Sequence, residues 1–224
     1  TVNNNYHIYT GCNPAASDCG YAAATGQSSA GADSIGILAQ SIGGGGGTGG
    51  AATAKAFSLP SDEIPVEFTF AASVGGSGGL GGDAGEITLA NSGEVGTAGD
   101  GAHGVVAQSI GGGGGNGGDS TATTFAIESG VPSLKTALAI GGSGGPGGTG
   151  GAVTVTNGAS SSCTVCNAQI YTFGQYAAGI LAQSIGGGGG TGAAGNASAS
   201  SPNLGDDTGT SIDVTLALGG KRGS

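Results

Sequence analysis

The stretch GILAQSIGGGGGTGG, Gly36 to Gly50, returns as GVVAQSIGGGGGNGG from Gly104 and as GILAQSIGGGGGTGAAG from Gly179. A short apolar run bounded by glycine reads as a β-strand, so each copy is a strand followed by a glycine tract. Between these copies runs a second motif, VGGSGGLGGDAG from Val74 and IGGSGGPGGTGG from Ile140, with LGGKRGS from Leu218 as a partial third copy. A third landmark fixes the phase. ITLAN at 87–91 matches VTVTN at 153–157, and TVNN opens the chain in the same way. The sequence thus divides into three repeat units, 1–86, 87–152 and 153–224, each with two glycine tracts.

The first and third units are lengthened by insertions, and both insertions carry cysteines: Cys12 and Cys19 in one, Cys163 and Cys166 in the other. Four cysteines allow three connectivities, and a bridge confined to each inserted loop is the economical choice, Cys12 with Cys19 and Cys163 with Cys166. Disulfides imply an oxidising, extracellular compartment.

Composition narrows the function classes. Glycine supplies 55 of 224 residues, and only 8% of residues are charged. Each glycine loses more backbone freedom on folding than any other residue, so the tracts must gain from packing that only glycine permits. Hydrophobic residues still make up 37%, enough for thin cores rather than a disordered linker. Fourteen acidic against four basic residues give a net charge of −10, which offers nothing to neutralise phosphates; nucleic acid and anionic membrane are not expected partners. No run of about 18 large apolar residues is present, so no membrane insertion of this segment is expected. Neither an initiating Met nor a basic and then apolar leader opens the chain, which therefore reads as a mature or excised segment.

Flanking the glycines, Val66, Phe68 and Phe70 alternate with small or polar residues, as do Ile212, Val214, Leu216 and Leu218. Period two predicts half-buried strands, and nothing predicts a helix. The tracts GGS-GGL-GGD (75–83) and GGS-GGP-GGT (141–149) have period three, which fits an extended left-handed helix of three residues per turn. Such a helix has no internal hydrogen bonds and must bond to its neighbours. Collagen is excluded by a total of six prolines, and the fixed place of the tracts between strands argues against flexible linkers. The expected fold is all-β: a repeat, β-solenoid-like architecture with polyglycine II-type helices packed beside the strands. Gln40, Gln108 and Gln183, with Ser41, Ser109 and Ser184, are expected in equivalent structural roles, the Gln amides satisfying backbone groups that the glycine tracts leave unpaired.

Catalytic and metal motifs do not assemble. Ser77 and Ser143 match G-x-S-x-G only through glycine content, without a following helix, and the two histidines, His7 and His103, supply no repeated partner. Asp83 stands where a calcium-binding nonapeptide would place a ligand, but the next copy has Thr149 there. Cys163 and Cys166 have redox spacing without a strand-to-helix context. The expectation is a non-enzyme with no cofactor and no metal.

The combination AQSIGGGGGxGG, then GGSGGxGGxxGxVTVTN, then a further GILAQSI resembles the repeat region of large glycine-rich autotransporter passengers of Gram-negative bacteria, over nearly the whole chain. The resemblance implies secretion through an outer-membrane barrel, display at the cell surface and a role in adhesion or biofilm formation. The expected function is a structural and adhesive module of a surface stalk or filament. Its expected partners are neighbouring repeats or further copies, and an unknown receptor or matrix at a contact loop with Tyr171, Phe173 and Tyr176. Alternatives are an ice- or polymer-binding glycine-helix protein and a phage tail-fibre-type adhesin.

Overall fold

The described residues of the computed structural model are 1–11, 31–59, 66–127, 131–158, 168–202 and 210–224, and among them the alternations around Phe68 and Phe70 and from Ile212 to Leu218 become strands and no helix forms. The four cysteines, and with them the expected loop bridges, lie outside these residues. In chain order the strands are β1 (Val2–Asn4), β2 (Ile8–Thr10), β3 (Ile37–Ile42), β4 (Ala52–Ser58), β5 (Glu67–Val74), β6 (Ile87–Asn91), β7 (Val95–Ala98) and β8 (Val105–Ile110). They continue with β9 (Ser120–Ala126), β10 (Ser133–Ile140), β11 (Val153–Asn157), β12 (Ile170–Phe173), β13 (Ile180–Ile185), β14 (Gly195–Ser200) and β15 (Ser211–Leu218). They form five parallel three-stranded sheets: β1-β6-β11, β2-β7-β12, β3-β8-β13, β4-β9-β14 and β5-β10-β15. Parallel strands in stacked sheets make this an all-β, β-solenoid-like architecture.

Register follows sequence likeness. Gln40 lies beside Gln108 and Gln108 beside Gln183; Leu89 lies between Val2 and Val155. In each sheet the middle strand has a neighbour on both sides, so its inward side chains are the most deeply buried.

The chain divides into two compact units, each collecting three segments of sequence. The first comprises Thr1–Gly43, Asp83–Gly111 and Thr149–Gly186. Its three sheets enclose an aliphatic core of Ile37, Ala39, Ile87, Leu89, Val95, Val105 and Ala107, flanked by Ile8, Val153, Val155 and Ile170. The turn from β7 to β8 passes through Gly99 and Gly101 at φ of 121° and 71°, conformations that a side chain disfavours.

The second unit comprises Gly44–Gly82, Gly112–Gly148 and Gly187–Ser224, and holds the glycine tracts together with the β4-β9-β14 and β5-β10-β15 sheets. The tracts are hydrogen-bonded at every third residue in two ways. Gly75, Gly78 and Gly81 donate to the carbonyls of Ile140, Ser143 and Pro146, in parallel with the like tract of the next copy. Gly76, Gly79 and Gly82 donate to Gly50, Gly47 and Gly44, in antiparallel order. The second set continues from copy to copy: Gly118 donates to Gly76, Gly142 to Gly118, Ala193 to Gly142 and Gly220 to Ala193. Its companion runs from Gly47 through Gly79, Gly115, Gly145 and Gly190 to Gly223. The remaining residue of each triplet carries the side chain, as at Ser77, Leu80 and Asp83.

The two sheets of this unit meet through alanines, Ala71, Ala122, Ala137 and Ala139, with Ala54, Ala56 and Ala197 around them. This inverts an expectation. Period two identifies two faces of β5 and β15 correctly, but the large apolar face is not the covered one. Thr69, Ala71 and Ser73 are buried, whereas Phe68 and Phe70 are 63% and 52% exposed. The cause lies in the partner sheet, whose facing residues are alanine, serine and threonine; a small face meets a small face, and Ser73 and Ser120 share a hydrogen bond of 2.6 Å across it. Lys135 also points inward, fully buried, with Nζ 3.3 Å from Asp213 Oδ1 and bonded to Ser201 Oγ.

Candidate functional site

Two groups of side chains have a geometry that sequence alone does not give: the polar ladders of the first unit and the apolar sheet face of the second.

The ladders begin from parallel, in-register pairing, which sets identical residues side by side at about 4.8 Å. For amide side chains that spacing allows each to donate to the next. Gln40 Nε2 donates to Gln108 Oε1, and Gln108 Nε2 to Gln183 Oε1, both at 2.7 Å. The glutamines therefore bond to one another, and the expectation that their amides satisfy glycine backbone is corrected. The serines take that role instead. Ser109 Oγ donates to the Gly85 carbonyl at 2.9 Å and accepts from Gly151 N–H at 2.7 Å. Ser41 Oγ accepts from Gly85 N–H, and Ser184 Oγ donates to the Gly151 carbonyl. Strand parity decides the difference, because in ILAQSI the Ser lies on the same face as the core residues Ile37 and Ala39 whereas Gln lies on the other.

A second amide ladder has no counterpart in the sequence-based expectations. Asn4 Nδ2 donates to Asn91 Oδ1 and Asn91 Nδ2 to Asn157 Oδ1, both at 2.7 Å. The amides of Asn4 and Asn91 also close the turns that follow their strands, onto the carbonyls of Tyr6 and Gly93, and Asn157 Nδ2 donates to the Ala168 carbonyl. Asn91 is 1% exposed. The shared final Asn of TVNN, ITLAN and VTVTN is the signal that could have found it.

Tyr171 and Phe173 stand in β12, paired with β7, and stack on each other with centroids 6.3 Å apart; the contact loop expected there is in part a strand. Tyr176 follows in a turn at φ 59°, and is 90% exposed. On the neighbouring copies of the same sheet, Tyr9 donates its hydroxyl to Glu94 Oε1 at 2.8 Å, and that bond, with desolvation, raises the phenol above its ordinary value of 10.0. Asp83 Oδ1 accepts from both the N–H and the hydroxyl of Thr149, at 2.7 and 2.8 Å, which lowers its carboxyl below the ordinary 3.8. The two residues of the calcium comparison are thus hydrogen-bonded to each other.

The apolar face consists of the outward positions of β5, β10 and β15. Register places them in four rows: Phe68, Leu134 and Ile212; Phe70, Thr136 and Val214; Ala72, Leu138 and Leu216; Val74, Ile140 and Leu218. None of the twelve is charged. The large residues on the two outer strands are between 46% (Leu218) and 63% (Phe68) exposed.

No protein-family profile, curated protein or solved structure matches the chain.

Proposed function

We propose that the chain is a non-enzymatic structural and adhesive module of a bacterial surface protein, the repeat passenger of a Gram-negative autotransporter, acting outside the cell as part of a stalk or filament. The observation that supports it best is how the copies are joined. Each copy bonds to the next through parallel strands, amide ladders and glycine backbone, and the identical pattern repeats from the first pair to the second. A joint that repeats unchanged extends by adding copies, which is how solenoid proteins become long. The outer strands, such as β13 and β3, have a sheet neighbour on one side only among the described residues, so a further copy finds an edge prepared for it.

In this reading the glycine tracts are extended left-handed helices of polyglycine II type. Three successive residues take three roles, one bonding to the like tract of the next copy, one bonding to the other tract and one facing outward. That division suits a helix of three residues per turn. The outward positions and the inserted loops then carry the contacts with receptor or matrix.

Two measurements test the two halves of the proposal. Beads coated with residues 1–224 are expected to be retained on glass or matrix-coated surfaces under flow, and bare release of the beads would overturn the adhesive role. Amide exchange is expected to be slow at Gly115, Gly118, Gly142 and Gly145. Exchange there at the rate of a free peptide would overturn the structural one.

A further inference from the structure

We propose that the outward face of the β5-β10-β15 sheet is a self-association surface on which two copies of this chain pack sheet against sheet. The inference goes beyond the surface role proposed above and does not depend on it. It begins from area. Taking phenylalanine as roughly 200 Å² and aliphatic side chains in proportion, the exposed parts of Phe68, Phe70, Val74, Ile212, Val214, Leu216 and Leu218, with the half-buried Leu134, Leu138 and Ile140 between them, present about 700–800 Å². The largest apolar patch of an ordinary monomer is about 300–600 Å², and each partner in a standard stable interface contributes about 800 Å². The face exceeds what solvent is normally left to cover and matches what a dimer requires.

Charge selects the partner. The chain carries a net charge of −10, so two copies repel over most of their surfaces. The four rows hold no charged residue at all, which makes this face a place where copies can meet without opposing carboxylates. Shape agrees. The rows are made by three regular strands of eight residues each, and the inner faces of β-sandwiches meet in the same way, with interdigitating side chains about 10 Å thick. A two-fold arrangement sets the surface against itself, so one face serves both partners and the association closes at two.

Sedimentation equilibrium at about 10–100 µM, the range in which a micromolar interface is populated, reads the prediction directly. The wild-type chain of 20.4 kDa is expected as a two-chain species. Phe70→Glu and Val214→Glu, at exposed positions where folding is not at stake, are expected to give single chains with unchanged circular dichroism. Thr123→Glu, on the outward side of β9 in the other sheet, is expected to leave the pair intact. A wild-type chain that is monomeric throughout this range overturns the proposal, and so does a pair that survives both face substitutions. End-to-end stacking is distinguished from it by growth beyond two with concentration and indifference to Phe70→Glu. That result would remove the sheet-face pairing while leaving the surface module standing. A monomer that instead floats with phosphatidylcholine vesicles, and loses this with Phe70→Glu, would assign the face to lipid and overturn pairing.

Discussion

Alanine placed at Gly113 and at Gly114, one at a time, separates a packed glycine tract from a flexible one. A Cβ on Gly114 would stand 1.9 Å from the carbonyl oxygen of Gly145, where ordinary contact begins at 3.4 Å. Gly145 cannot retreat freely. Its N–H donates to Gly115 and its carbonyl accepts from Gly190, both at 2.8 Å. Loss of two such bonds at about 1 kcal/mol each, with about 1–3 kcal/mol for overpacking, gives a destabilisation of about 3–5 kcal/mol. One residue earlier the geometry is open, since a Cβ on Gly113 meets its nearest heavy atom, the Gly188 carbonyl oxygen, at 3.7 Å. Gly113 has no left-handed φ to forbid a side chain, so alanine there narrows the unfolded ensemble and stabilises by about 0.4–1 kcal/mol. Urea denaturation followed by far-ultraviolet circular dichroism reads both, as midpoints displaced in opposite directions with an unchanged slope. If Gly114→Ala behaves like Gly113→Ala, the tracts are not packed against one another and the reasoning fails.

Ser109→Ala is expected to cost about 1–3 kcal/mol, because it leaves the Gly85 carbonyl and the Gly151 N–H without their shared partner; the same denaturation measurement checks it. Asn91→Ala is expected to cost about 2–3 kcal/mol and Gln108→Ala only about 0.5–1.5 kcal/mol, since Asn91 is buried and also closes a turn, whereas Gln108 is half-exposed. A larger loss at Gln108 would reverse the assignment. The Asp83 carboxyl titrates below 3.8 because the charged form accepts two hydrogen bonds. Its contribution to stability is therefore present above its unfolded value and is lost as pH falls through the lower folded one. Carbon NMR titration should show the depressed value in the wild type and a partial return towards 3.8 in Thr149→Val, which removes the hydroxyl and keeps the N–H.

Much of this fold is legible in the chain because its three copies write the same strands. ILAQSI, VVAQSI and ILAQSI pair residue for residue, and VTVTN finds ITLAN. The three-residue period of the glycines is likewise repeated in their hydrogen bonds. What alternation cannot supply is which face is covered. Phe68 and Ala71 belong to opposite sides of β5 in any reading, and only the alanine content of β4, β9 and β14 turns Ala71 inward. The same limit explains the exchange of roles between Gln and Ser: parity puts them on opposite faces, and only the fold shows that the Ser face meets Gly85 and Gly151. The Asn ladder was written at the ends of three strands, yet its meaning depends on a parallel register that places Asn4, Asn91 and Asn157 in line.

The separation of partners along the chain governs the order in which the fold can be reached. Gln40 waits 68 residues for Gln108, and Gln108 waits 75 for Gln183, so no strand finds its sheet neighbour until a whole copy has been added. Such distant closures make folding slow. The antiparallel bonds of the tracts are different, since Gly76 reaches Gly50 and Gly82 reaches Gly44 within a single copy. They are the shortest closures open to the first glycine tract, and they offer a nucleus before any second copy exists. The same clasp recurs in the later copies, Gly142 with Gly118 and Gly220 with Ala193, so every copy carries its own starting point and folding can spread from any of them to its neighbours.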